Sequence, residues 1–221
     1  MLQKRINDVK NELAKTGREV TLIAVTKTHP AEVINEAIDC GITDIGENKV
    51  QEVLAKYDAV KPVRWHLIGH LQTNKVRQIV DKVYMIHSVD SEHLAKEIDK
   101  RCAAIGKAMN ILIQVNVAGE DTKSGVSPDE VPALAEALSK YPNLKLRGLM
   151  QIAPYADDPE EVRPYFKRLK EIFDELKPKY GPDFDTISMG MSNDYVIAAE
   201  EGATYVRVGT LLFGERDYTK Q

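Results

Sequence analysis

An apolar run, Leu22-Ile23-Ala24-Val25, leads within two residues to Lys27, in the stretch AVTKTHP at 24–30. Lysine resists burial more than almost any side chain. A core strand that ends on one either lets it reach solvent or holds its amine at the mouth of a pocket. Near the other end of the chain, SMGMSND (188–194) runs from strand-forming residues through a glycine turn into a helical pattern. VRVGTLLFGE (206–215) repeats the plan with Gly209, Thr210 and a short apolar turn. Glycine lets backbone approach a ligand, Ser192 and Thr210 add hydroxyl donors, and amides at a helix start attract anions. Alone, either turn is ordinary: Ser192 or Asn193 caps a helix, and Gly209 turns the chain. Together, after the last two strands of a parallel barrel, they make a phosphate cradle.

Arg207 adds a charge. Alternation puts it on one strand face with Tyr205 and Gly209, opposite Val206 and Val208, so it points inward. A buried guanidinium needs a partner. That partner is an inward acid such as Glu47 or Asp90, or a ligand. A lysine amine partly desolvated beside an arginine loses its proton more readily and becomes a nucleophile near neutral pH. Nucleophilic lysine plus phosphate cradle fits a carbonyl phosphate held as a Schiff base. Two ligand classes meet that description: a sugar phosphate, as in Schiff-base aldolases, and pyridoxal 5′-phosphate (PLP).

Other candidates carry less. WHLIGH spaces His66 and His70 four apart across a strand end and turn, with no cysteine or HExxH context, so no metal site is expected. His66 is read as a hydrogen-bonding or structural residue near the mouth, and His29 and His93 as loop and helix-surface residues. GEDTKSGV (119–126) fails as a phosphate-binding loop, because its second glycine is followed by Val126 rather than Lys-Ser/Thr. It reads as a polar, mobile loop suited to a partial lid.

The elements that position these residues alternate regularly. Strand-forming runs are expected at 21–27, 42–48, 63–69, 83–89, 110–117, 145–152, 185–191 and 203–209, with helical patterns between them. Pro30 suits a first helical turn and Ser91 a helix cap. Leu2, Ile6, Val9 and Leu13 recur at helical spacing before Gly17, which makes the N-terminal segment an extra amphipathic helix rather than a signal peptide. Eight near-continuous apolar strands between helices predict a parallel sheet buried on both faces, closed as a (β/α)8 TIM barrel. An open doubly wound sheet would place a glycine-rich turn where TKTHP stands. One domain spanning 1–221 is expected.

Composition narrows the function. The chain has 221 residues, 43% of them apolar and 29% charged, with a formal net charge of −4. That balance, without a dense basic cluster, gives no footprint for nucleic acid. No apolar run reaches the length of a membrane span. Cys40 and Cys102, far apart and outside any CxxC, fit reduced thiols in a cytoplasm. No long exposed apolar stripe demands a dimer. A monomer is expected, with a dimer left open.

AVTKTHP, IGENKVQE, WHLIGHLQTNK, HSVDS, QVNVAGEDTKSGV, GLMQIAP and SMGMSNDYVIAAEEGATYVRVGTLLFG, in that order from about residue 20 to Arg216, together resemble the pyridoxal phosphate homeostasis (YggS/PROSC) family. The resemblance implies a barrel similar to the alanine racemase N-terminal domain. It implies that Lys27 forms the aldimine with PLP, that Arg207 faces the pyridine nitrogen, and that Ser192, Gly209 and Thr210 hold the phosphate. Asn48, His66, Ser88 and Met191 would line the ring and its 3′-hydroxyl side. An arginine beside the pyridine nitrogen disfavours the protonation that makes PLP an electron sink. Racemases built on this barrel carry a second, β-rich domain whose tyrosine, lent across a dimer, serves as opposite-face base. This chain ends about five residues after its last motif, and nothing aims Tyr155 or Tyr195 at the mouth.

The expectation is therefore a cytoplasmic protein that stores, buffers or delivers PLP to apo PLP-dependent enzymes, with little or no turnover beyond a weak side activity. A single-domain PLP-dependent amino-acid racemase is the alternative, and a Schiff-base lyase acting on sugar phosphates ranks third.

Overall fold

The computed structural model describes residues 1–120 and 122–214. Asp121 of the GEDTKSGV loop, and Glu215 and Arg216 of the last motif, lie outside the described residues. Helix α1 (Leu2–Lys15) buries Leu2, Ile6, Val9 and Leu13, the stripe its spacing anticipates. It ends where Gly17 takes φ +67°, a left-handed conformation that suits glycine. From there strand and helix alternate: β1 (Thr21–Val25), α2 (Ala31–Asp39), β2 (Asp44–Glu47), α3 (Val50–Lys56), β3 (Arg64–Leu67), β4 (Met85–Val89), α4 (Glu92–Ala104), β5 (Met109–Gln114), α5 (Val131–Leu138), β6 (Leu144–Met150), α6 (Arg163–Tyr180), β7 (Thr186–Ser188), α7 (Tyr195–Glu200), β8 (Tyr205–Val208) and α8 (Thr210–Phe213). The β3–β4 crossover uses a short 3-10 helix, Thr73–Gln78, in place of an α-helix. Ser91 caps α4 by accepting from the Leu94 amide at 3.3 Å. Pro30 sits one position earlier than expected, as the cap of α2.

The eight strands close into a barrel in sequence order, all neighbours parallel, with β1 returning to β8. Alternation divides each strand between two environments. Ala24, Ile45, Trp65, Leu67, Ile86, Ile111, Leu149 and Val206 join the main core shared with the helices. Fully buried Phe166 of α6 and Phe184 belong to the same core, where each such side chain contributes about 1.5–3 kcal/mol. The opposite parity supplies a small apolar cluster of Met85, Leu112 and Met150 with Tyr205. That inner set also holds Ile23 and the polar residues Asp44, His66, His87, Ser188 and Arg207, all of them buried. α1 packs on α7 and α8, and Arg5 Nη1 donates to the Leu212 carbonyl at 3.2 Å. The N-terminal helix thus braces the last crossover, directly behind the turn that carries Thr210.

The β5–β6 register slips between Ile111 and Leu112, where β6 carries one extra residue. Gly148 occupies that irregularity at φ +150°, and a Cβ there would lie 1.8 Å from the Thr186 carbonyl oxygen of β7. Replacing it requires neighbouring strands to separate. Gly17, also at positive φ, has open space around it. Gly17→Ala is expected to cost about 1 kcal/mol for its backbone conformation alone. Gly148→Ala is expected to cost at least about 3 kcal/mol, or to prevent folding. Urea unfolding of the two variants beside the wild type measures the difference, and equal costs would contradict the barrel register.

Candidate functional site

A cavity of about 370 Å³ opens at the C-terminal ends of the strands, lined by residues that follow β1, β2, β3, β6, β7 and β8. Of the residues expected to form a site, Lys27, Asn48, Met191, Ser192, Arg207, Gly209 and Thr210 all face it. Val25, His29, Ile68, Gly69 and Ile152 line it as well. His66 and Ser88 do not. His66 sits inside the barrel, fully buried, with Nε2 at 2.8 Å from Asp44 Oδ1 and Nδ1 at 2.9 Å from His87 Nε2. Ser88 is also fully buried, and its Oγ has no hydrogen-bond partner. His70 lies on the exposed side of the β3 turn, 3.9 Å from Asp90.

The two small-residue turns are tied to each other. Ser192 Oγ accepts from the Gly209 amide at 3.2 Å. The helix after β7 is capped neither by Ser192 nor by Asn193. It begins after Asp194, whose Oδ1 accepts from the Met191 amide at 2.6 Å and closes the turn. Asn193 instead donates to the Ala156 carbonyl at 3.0 Å. Ser192 is thereby kept at the mouth rather than drawn into the helix. Two glycines let backbone close in. A Cβ on Gly209 would press on Val25 at 3.3 Å, and one on Gly69 would lie 2.3 Å from the Asn48 carbonyl oxygen. Side chains at either place would spread the strand ends that shape the cavity.

Lys27 is half-buried and held by its neighbours on both sides. Thr26 Oγ1 donates to Glu47 Oε1 at 2.7 Å, and the Thr28 amide donates to Glu52 Oε2 at 2.7 Å. Lys56 of α3 joins the pieces: its Nζ reaches Glu47 at 2.8 Å, Glu52 at 2.9 Å and the Thr26 carbonyl at 3.0 Å. Thr28 takes φ +70°, rare for a residue with a Cβ. The clamp holds that strained turn and so sets where Lys27 leaves the strand. Burial pushes the Glu47 carboxyl up to about 7, against the pull of Lys56 and of the Thr26 hydroxyl, and its Oε2 has no hydrogen-bond partner. Nothing in the order of residues singled out Lys56. Its only sequence signal is its place four residues after Glu52 on a helical pattern.

Arg207 is 3% exposed. Its Nη1 donates to Ser188 Oγ at 2.7 Å and its Nη2 to the Gln151 carbonyl at 2.8 Å. The acids considered for it are engaged elsewhere: Glu47 with Lys56, Asp90 beside His70. Burial lowers the guanidinium to about 10, with the Asp194 carboxylate pulling the other way, and it stays cationic at neutral pH. The mouth thus combines a lysine amine, a buried cation and two linked turns with backbone and hydroxyl donors. Such a set can capture a carbonyl and hold an anion. Among the described residues that line the cavity there is no carboxylate and no phenol. After β5, Asn116 organises the polar loop, donating to the Glu120 carbonyl at 2.9 Å and accepting from the Glu120 amide at 3.3 Å.

Residues 1–217 match the family model for the alanine racemase N-terminal domain. A pyridoxal phosphate homeostasis protein of Aquifex aeolicus is 51% identical over 199 residues, covering 89% of this chain and 87% of its own. The structure of PipY from Synechococcus elongatus with PLP bound superposes with a TM-score of 0.87 at 36% identity, covering 97% of this chain and all of that one (100%). An alanine racemase of Clostridium difficile shares the fold, with a TM-score of 0.82 at 16% identity, covering 97% of this chain and 59% of the racemase.

The clamp makes a prediction about stability. Folded Glu47 holds its proton up to about pH 7, whereas an exposed glutamate releases it near 4.5. Between those values the folded state binds more protons than the unfolded state, so this group's contribution falls as pH rises through the window. The shift corresponds to about 3 kcal/mol. His66 and His87, which burial holds below their ordinary value, act in the opposite direction over the same range, so the wild-type curve alone mixes the effects. The difference between wild type and Glu47→Gln isolates Glu47. Urea unfolding at pH 4.5 and pH 7.5 is expected to show the wild type losing about 3 kcal/mol relative to the variant. A difference that does not change with pH would refute the buried, proton-holding carboxyl.

Proposed function

The chain belongs to the pyridoxal phosphate homeostasis proteins, within the alanine racemase N-terminal domain family, and from that premise we propose that it binds PLP at the barrel mouth and holds it for storage, buffering or delivery rather than for turnover. The observation that carries this reading is the convergence of Lys27, Arg207 and the linked Ser192–Gly209–Thr210 turns on one cavity. The cavity's size suits a ligand of one phosphorylated ring. The donor set suits it too: an amine for the aldehyde, hydroxyls and backbone amides for the phosphate, and Asn48 and Met191 on the walls. At Gly209 the backbone approach leaves no room for a Cβ without pressing on Val25.

When bound, PLP supplies an aldehyde that an amine can capture and a ring that withdraws electrons once its nitrogen is protonated. The remaining chemistry belongs to the protein. Lys27 provides the covalent hold, its position set by the Thr26–Glu47 and Thr28–Glu52 hydrogen bonds. Ser192, Gly209 and Thr210 bind the phosphate. Arg207, cationic and anchored by Ser188 and the Gln151 carbonyl, would keep a positive charge at the ring and oppose a proton on its nitrogen. A cation at Arg207 disfavours the protonated ring on which chemistry at PLP draws, and this supports a holder more than a catalyst. Among the described residues no helix is long and apolar enough to cross a membrane. Cys40 and Cys102 are both free thiols. We assign the work to the cytoplasm, with apo PLP-dependent enzymes as the receivers.

The visible spectrum of the purified protein, before and after PLP addition and borohydride, tests this. A yellow band that disappears on reduction is expected, with the pyridoxyl group mapped to Lys27. Lys27→Ala should abolish the adduct and weaken binding at least roughly tenfold. Loss of α-deuterium from added amino acids should remain slow. A protein that stays colourless with PLP would overturn the reading, and rapid deuterium loss would replace it with an enzyme.

A further inference from the structure

The barrel interior contains a hydrogen-bonded chain that the binding of PLP does not by itself require. It starts at Arg207, which faces the cavity, and ends at Asp44 of β2. Arg207 Nη1 to Ser188 Oγ is 2.7 Å, Ser188 Oγ to His87 Nδ1 is 2.9 Å, His87 Nε2 to His66 Nδ1 is 2.9 Å, and His66 Nε2 to Asp44 Oδ1 is 2.8 Å. Asp44, His66, His87 and Ser188 have no exposed surface. Asp44 is met from outside by half-exposed Arg64, whose Nε and Nη2 donate to its two oxygens at 2.8 and 2.6 Å, and Thr43 donates to Oδ2 at 2.7 Å.

The two ends determine where every proton sits. A guanidinium only donates, so Ser188 Oγ accepts from Arg207. Burial favours a neutral Asp44, but hydrogen bonds from His66, Arg64 and Thr43 outweigh it and hold the carboxyl at about 2. It is an acceptor, so His66 carries its proton on Nε2. Burial keeps both imidazoles neutral. His66 Nδ1 therefore accepts, His87 donates from Nε2, and His87 Nδ1 accepts the Ser188 hydroxyl proton. Every donor in the chain has an acceptor, and all the bonds point from Arg207 toward Asp44. Reversing the Ser188–His87 bond alone makes Ser188 accept from both Arg207 and His87, strands its own hydroxyl proton, and makes His87 an imidazolium next to a buried cation.

We propose that Asp44 is a second counter-charge of Arg207 besides Asp194, acting through Ser188, His87 and His66, and that these four are positioning residues that hold the guanidinium oriented toward the cavity. The functional consequence rests on the reading of Arg207 as the group facing the cofactor. The chain itself does not. Its acceptor ends all face the arginine, so they stabilise the positive charge that direct ion pairing does not reach.

Nitrogen-15 NMR of histidine-labelled, ligand-free protein at pH 7 tests the chain without any cofactor. His66 and His87 are both expected as neutral rings protonated on Nε2, with slowly exchanging N–H protons. A charged ring, or a proton on Nδ1 of either, would overturn the proposal. The second arm compares PLP binding of wild type and the near-isosteric Asp44→Asn, with the fold checked by circular dichroism. The expected result is a roughly tenfold loss of affinity with the Lys27 adduct retained, and mixed tautomers at His87. A folded variant with unchanged affinity and unchanged His87 signals would sink it. Should Asp44→Asn not fold, Ser188→Ala is read in the same way. If the wild type binds no PLP, the proposed function fails while the tautomer measurement still decides the chain.

Discussion

A guanidinium buried inside a closed barrel is the constraint to which much of this molecule answers. Moving a charge from water into a low-dielectric interior costs several kcal/mol unless it is paired and hydrogen-bonded. Barrel interiors are ordinarily filled by layers of branched apolar side chains. Here Met85, Leu112 and Met150 with Tyr205, and Ile23, share the interior with a polar chain. Asp194 at the mouth and Asp44 at the opposite end both bear on the arginine, the first through space and the second through three intervening side chains. The cost is moved outward in steps, from Arg207 to Asp44 and from Asp44 to Arg64, which is half-exposed and reaches water.

β2 shows how partners rather than residue type set the charge. Asp44 and Glu47 lie three residues apart on the same short strand and have no exposed surface. Three residues is an odd step, so they leave the strand on opposite sides. Asp44 points into the barrel and receives donors from His66, Arg64 and Thr43, which hold it ionised. Glu47 lies between sheet and helix, meets Lys56 and Thr26 through one oxygen only, and is pushed toward neutrality. One carboxyl anchors the arginine of the site and the other clamps the loop of the lysine. Two of the cavity-facing groups are thus positioned from a single strand that contributes only Asn48, just past its end, to the cavity.

The barrel was legible because a parallel sheet covered on both faces demands near-continuous apolar runs, and eight of them appear in order. Their ends were drawn too long. The run at 185–191 yields a strand only from Thr186 to Ser188, since Gly190 at φ +89° bends the chain away. Lys27, Arg207 and the two glycine turns were legible because each sits at or just past a strand end, where a barrel keeps its mouth. His66 and Ser88 share that kind of position and still miss the cavity. Alternation within a strand tells which residues share a side, but only closure of the whole barrel sets how deep each lies relative to its neighbours. The chain from Arg207 to Asp44 joins residues of β8, β7, β4, β3 and β2, and no spacing along the sequence encodes that alignment. Lys56 escaped notice for a similar reason, being a helix lysine whose partners beyond its own helix come from a strand and a loop.

An alanine racemase 16% identical shares the barrel, so the scaffold alone does not decide what its mouth does. The charges placed around the mouth differ from protein to protein on one fold. A loop carrying a lysine must be fixed if the amine is to be presented in one place, and carboxylates are effective fixatives for strained turns. Carboxylates inside the cavity would also supply bases. This chain avoids that conflict by placing Glu47 and Glu52 behind the loop, against a second lysine, Lys56, that neutralises them there. The turn at Thr28 is held by acids that do not line the cavity. Arg207 follows the same logic: Asp194 acts on it through space and Asp44 from the far end of the barrel, and neither acid lines the cavity. Tight positioning and an acid-poor mouth are then two results of one arrangement, in which every carboxylate that orders the site acts from outside it.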